Sequence, residues 1–207
     1  MKDVKGYLLR GTPSHLIPLG AGFVMASSND IRAALGMGVA VLLSLLLSAF
    51  TISLVKKLIP AYAKLPAYVL IMTGYVTLID MLMQAHFPVV VDMLGVHLAA
   101  LAVSAVIYRD VEEVADVQSF GKTMKISALT GLFFTVLMVA CALVREVLGN
   151  ASLWGVSIDF LKDYRISSLA GAFGGYLVLA ITLAIIRKVG EHIAEDETPE
   201  EREEFKA

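Results

Sequence analysis

Asp80 is the residue whose type and place most plainly invite chemistry. It interrupts residues 65–91, a stretch with no other acidic side chain and no Lys or Arg. At membrane depth a carboxylate is costly unless it faces protein, water or an ion. Asp80 is therefore a candidate for taking up Na⁺ or H⁺, against the plainer reading of an acid bonded to a neighbouring helix or lying near the outer interface. Arg145 and Glu146 adjoin in sequence, but consecutive helical positions point about 100° apart, so the two do not pair and each must find water or another helix. Their expected role is interfacial. His15, His86 and His97 lack the spacing of a joint metal site,. The single cysteine, Cys141, allows neither an internal disulfide nor a thiolate cluster and reads as a packing residue,. No phosphate loop, catalytic triad or dinucleotide fingerprint is present. The sequence thus predicts no catalytic residue and no metal ligand set.

The elements that must position Asp80 follow from composition. Hydrophobic residues make up 57% of the 207 and charged ones 17%, too apolar for one soluble core and suited to a bilayer. Residues 33–55, 65–91, 126–144 and 166–186 form runs long enough to span with some tilt. Two further segments are apolar but unsuited to crossing as plain helices. Residues 93–108 would reach only about 24 Å as a helix against a hydrocarbon core of roughly 30 Å. Residues 11–29 carry Pro13, Pro18, Gly20 and Gly22, which weaken a helix and free backbone groups. No removable signal peptide is read at the N-terminus.

These two defective segments sit at matching places. His15-Leu16 and Leu19 precede small residues in one, and His97-Leu98 and Leu101 precede Ala102 to Ala105 in the other. The expected fold is an all-α integral membrane protein with six transmembrane segments in a 3+3 inverted repeat, segments 1 and 4 being short or broken half-helices. Residues 1–186 would form one transmembrane domain, with repeat halves at about 11–87 and 93–186, and residues 187–207 a charged cytoplasmic tail. Gly36, Gly38, Gly171, Gly174 and Gly175 are expected to let helices approach closely, and Trp154 to anchor the loop at residues 145–165.

Loop charge sets the expected orientation. Of the 17 Lys and Arg residues, thirteen fall on one side of this topology and four, Arg32, Arg145, Lys162 and Arg165, on the other. Cytoplasmic loops collect Lys and Arg, so both termini are expected in the cytoplasm. A net charge of -2 offers no basic patch for nucleic acid, and the acidic run near the C-terminus reads as a solvated tail.

Several blocks carry a family resemblance: Ala34-Leu35-Gly36-Met37-Gly38, Leu65-Pro66-Ala67-Tyr68-Val69, Leu94-Gly95, and above all Arg145-Glu146-Val147-Leu148-Gly149-Asn150 continuing to Gly155. Over residues 16–186 the chain resembles the Rnf E and Nqr D membrane subunits. The resemblance implies a non-catalytic subunit of an inner-membrane translocase that couples electron transfer to Na⁺ or H⁺ movement. It also implies a homologous partner of opposite orientation, alongside other Rnf/Nqr-like subunits. Family members place one cysteine in each half-helix to hold a shared [2Fe-2S] cluster. The matching positions here are Gly22 and Ala105, which cannot ligate iron, so no cofactor is expected on this chain alone. Asp80 matches an acidic position that the family associates with cation uptake. Two other readings remain open on the residues: a cluster-free carrier or substrate-binding component outside a redox chain, and a purely structural assembly subunit.

Overall fold

Asp30 starts the first described helix. Its backbone is extended (φ -140°, ψ 136°) and its side chain accepts from the Arg32 N–H at 2.7 Å, capping α1, Ile31–Val55,. The computed structural model describes residues 29–112, 116, 118–154, 156–157 and 167–195. The expected first segment, 11–29, with Gly22, therefore lies almost wholly outside the described residues.

After Pro60 a 3-10 turn, Ala61–Ala63, leads into α2, Lys64–His86. A Cβ built at Gly36, near the start of α1, would meet Met83 and Val90, so the two helices run antiparallel. The chain then breaks repeatedly. Phe87 leaves helical geometry, and Pro88, whose missing N–H is harmless in a first turn, opens α3, Pro88–Leu94,. Gly95 (φ 53°, ψ -136°) separates α3 from α4, Val96–Ala100. A 3-10 turn, Leu101–Val103, and extended Ser104 lead to α5, Ala105–Asp110. The apolar stretch 93–108 is thus a series of short pieces.

The long helix α6, Phe120–Asn150, lies against α1 in the most extensive packing of the fold. Two glycines set the spacing: a Cβ at Gly38 would fall 2.4 Å from Thr135, and one at Gly131 3.0 Å from the Leu42 Cα,. Ala151 ends α6 in a left-handed conformation. A two-residue hairpin, β1 (Ser152–Leu153) with β2 (Val156–Ser157), follows. Last come α7, Ser167–Ala170, and α8, Ala172–Glu195. The expected run 166–186 is therefore interrupted at Gly171, and its helix continues through Arg187 and Lys188 into the charged segment. Gly174 does allow close approach, since a Cβ there would meet the Leu169 Cα at 2.2 Å, whereas Gly171 meets nothing nearer than 3.7 Å.

The buried core is largely apolar, as in a water-soluble bundle, but the outward face is apolar too. Outward positions carry Leu43, Leu70, Met81, Leu132, Phe173 and Ile181, while Ser44, Ser48, Thr123, Ser127 and Thr130 are buried. A solvent of hydrocarbon explains this, because apolar surface is then no cost and hydroxyls gain by facing other helices. Three helical stretches, Ile31–Val55, Ala61–His86 and Phe120–Asn150, are long and apolar enough to cross a membrane; Phe173–Ile185 is apolar but shorter.

Candidate functional site

The three long helices give the bundle two chemically different ends. Lys56 and Lys57 close α1 where α2 begins at Lys64 and α6 near Lys122 and Lys125. Asp30, Arg145, Glu146 and Trp154 gather at the other.

At that second end Arg145 and Glu146, both buried, diverge as helical geometry requires. Glu146 Oε2 accepts from the Ile31 N–H at 2.8 Å, holding the first turn of α1, where an anion also meets the positive end of the helix dipole. Arg145 Nε donates to the Leu169 carbonyl at 3.1 Å and its Nη2 to the Gly171 carbonyl at 3.2 Å. Those carbonyls belong to the α7–α8 junction. The adjacent pair therefore ties α6 to α1 on one side and to the α7–α8 junction on the other. Trp154 is half-exposed, with the Arg32 guanidinium 6.0 Å above its ring.

Asp80, one turn and a half from the end of α2, is partly buried. With Gln84, Pro88, Val91, Asp92 and Gly95 it lines a cavity of about 520 Å³. Sequence alone singles out Asp80 but not Asp92 or Gln84. They join it because the chain reverses at Phe87–Pro88 and breaks again at Gly95, folding α3 back beside the end of α2. The cavity offers two carboxylates and a carboxamide, oxygen donors suited to a hard cation or a proton. His86 lines a separate, largely apolar cavity with Leu35, Val39, Met83 and Val90, while His97 is exposed. Among the described residues no group of three His, Cys, Asp or Glu is placed to hold a metal.

A second polar cluster is hidden in the sequence, where Asp110 is one of seven charged residues between positions 109 and 125. Asp110, ending α5, is only 4% exposed. Ser127 Oγ donates to its Oδ2 at 2.5 Å, and the Thr130 hydroxyl lies near enough to act on the same carboxylate. Yet Thr130 Oγ1 has no hydrogen-bond partner in bonding geometry, and neither has Ser48 Oγ on α1. An unmade bond of this kind costs about 1–3 kcal/mol. The signal available in the sequence was the i, i+4, i+7 spacing of Thr123, Ser127 and Thr130, which puts three hydroxyls on one face of the helix,.

Beyond the apolar run, Asp116 fastens the following loop. Lys64 Nζ donates to both its oxygens at 2.9 Å, the Tyr68 hydroxyl donates at 2.7 Å, and Lys56 Nζ donates to the Gln118 carbonyl at 2.6 Å. Burial pushes the Asp116 carboxyl upward, but the bonds from Lys64 and Tyr68 and the charges of Lys64 and Lys56 outweigh it, and the net shift is downward,.

An iron–sulfur cluster is held by thiolates. Ala105, at the start of α5, has no sulfur, Gly22 has none either, and the sequence's one thiol, Cys141, is buried within α6.

A helical bundle with an apolar outer face and buried hydroxyls, built on three helices long and apolar enough to cross a membrane, defines a membrane-embedded protein. The chain matches, over residues 4–185, the family described as Rnf-Nqr subunit, membrane protein, and belongs to it. It is 27% identical over 90% of its length, and 95% of the relative's, to the E subunit of the Na(+)-translocating ferredoxin:NAD(+) oxidoreductase complex of Acetobacterium woodii. It is 32% identical to the E subunit of the ion-translocating oxidoreductase complex of Glaesserella parasuis, over 82% of each chain. The E subunit of the proton-translocating ferredoxin:NAD(+) oxidoreductase complex of Clostridium ljungdahlii is 22% identical over 90% of this chain and 87% of its own.

Proposed function

We propose that this chain is the E-type membrane subunit of an Rnf-like complex that couples electron transfer to Na⁺ or H⁺ translocation, and that Asp80 handles the ion. Similarity to E-type relatives along nine-tenths of the chain supports the complex. The observation that carries the ion-handling role is the Asp80 cavity, where Asp92 and Gln84 join Asp80 beside a helix break. Carboxylates beside broken helices suit ion binding, because unwound backbone supplies further oxygens and can move when the site fills or empties.

In this reading the chain has six membrane segments in a 3+3 inverted repeat, lies in the inner membrane with both termini cytoplasmic, and contacts a homologous subunit of opposite orientation. It contributes no redox centre of its own, since Gly22 and Ala105 stand at the family's cysteine positions. That substitution also gives a second reading its one support: a cluster-free carrier outside a redox chain.

The test is ion uptake by proteoliposomes holding the whole complex. Asp80→Asn keeps size and loses charge, so it should assemble and pump poorly, while Asp80→Glu should retain part of the activity. Normal assembly with unchanged pumping in Asp80→Asn would make the acid structural. Copurification with flavin- and ferredoxin-type subunits supports the redox complex, and isolation with an ATPase or permease instead favours the carrier.

A further inference from the structure

We infer that Asp110, Ser127 and Thr130 form a second cation site, for Na⁺, at the lysine-rich end of the bundle opposite Asp80. The inference rests on the ion-translocating reading above and adds a site to it. Three observations converge. First, the Asp110 carboxylate is withdrawn from the surface at the end of α5, and Ser127 Oγ donates to it at 2.5 Å. Second, Thr130, only 5% exposed, stands beside that carboxylate with its hydroxyl unpartnered. Third, α1 brings a buried hydroxyl to the same level of the bundle. The Gly38–Thr135 and Gly131–Leu42 approaches fix an antiparallel register, which places fully buried, unpartnered Ser48 within about one turn of Ser127 along the axis,. The helix α5 packs against α1 and bonds to α6, so all three elements meet here.

The chemistry selects the occupant. The donors are oxygens alone, which suit a hard cation rather than a soft metal. One carboxylate matches a single positive charge, whereas a divalent ion would leave a net charge buried among apolar helices. A proton would neutralise Asp110 but leave the lone pairs of Thr130 and Ser48 unused; Na⁺ can draw on several oxygens at once. Ser104, extended and buried between the 3-10 turn and α5, breaks the helix just before the site. With Asp80 near one membrane face and Asp110 near the other, an ion would find an acidic station at each end of the bundle.

The experiment is equilibrium binding of ²²Na⁺ to the purified whole complex at rest, with no electron donor, and with assembly checked by gel filtration. Asp110→Asn and Thr130→Val should each weaken a Na⁺ site, the former by at least about tenfold, as loss of a charged ligand predicts, while Asp80→Asn leaves the Asp110-dependent site in place. Thr130→Val is close to isosteric and keeps the test decisive if Asp110→Asn fails to assemble. Binding unchanged in Thr130→Val and in any assembled Asp110→Asn complex would overturn the site, as would no Na⁺ binding by the unmutated complex. Because binding is read without turnover, failure of the site leaves pumping measurable, and a complex that binds Na⁺ here but moves no ion would refute the translocating function instead.

Discussion

Glu146 shows how one side chain can secure an element far away in sequence. Its carboxylate holds the Ile31 N–H, 115 residues away, so Glu146→Ala should leave the α1 start short of an acceptor. Loss of a charged hydrogen bond there should cost about 1.5–3 kcal/mol, read as a lower melting point of the detergent-purified protein; Glu146→Gln, which can still accept, should cost less. Asp116 gives a pH-dependent case. Its folded-state pKa is lowered, so its stabilising contribution is present above the usual carboxylate value of about 4 and is lost as pH falls through the lowered value. Lys64 and Asp116 are partly exposed (35% and 21%), which limits the pair to about 0.2–1 kcal/mol. Amide exchange in the loop, expressed relative to the intrinsic rate at each pH, should be unchanged from pH 8 to pH 5 and accelerate only on further acidification. Lys64→Met should show the faster exchange already at pH 7.

At the scale of elements, glycines divide by what surrounds them. Gly174→Ala would drive a Cβ into the Leu169 Cα at 2.2 Å and the Ser168 carbonyl at 2.4 Å. Both are backbone, so α7 itself must shift, at about 1–3 kcal/mol. Gly74 on α2 has nothing within 4 Å, and Gly74→Ala should be neutral or stabilising by up to about 1 kcal/mol. Thermal melting of the two variants, which should differ in sign or clearly in size, checks the assignment. Gly95 is different again, since open space surrounds it but its φ of 53° is strained for any L side chain. Gly95→Ala should therefore disturb the Asp80 cavity through the backbone, lowering ion uptake with little change in assembly; unchanged uptake would show the break to be incidental.

For the whole molecule, the prediction concerns sidedness. In a Cys141→Ser background a cysteine at Ser157 should react with an impermeant thiol reagent from outside intact cells, and one at Glu200 only after permeabilisation. The reverse pattern would invert the orientation drawn from the lysine-rich end. Sequence alone determined the membrane class, the long helices and the defect at 93–108. Span length, lysine bias and the helix-breaking character of glycine and proline are local properties of a chain in hydrocarbon. It also singled out Asp80, because an ionised group in an apolar run stands out without knowledge of its neighbours. It could require that Arg145 and Glu146 find separate partners but not name them, since Ile31, Leu169 and Gly171 reach them only through packing. Asp110 was hidden for the same reason. Next to Arg109 and Glu112 it reads as one more charge in a charged stretch, and only the packing of α5 against α1 and α6 removes it from water and sets the Ser127 hydroxyl on it.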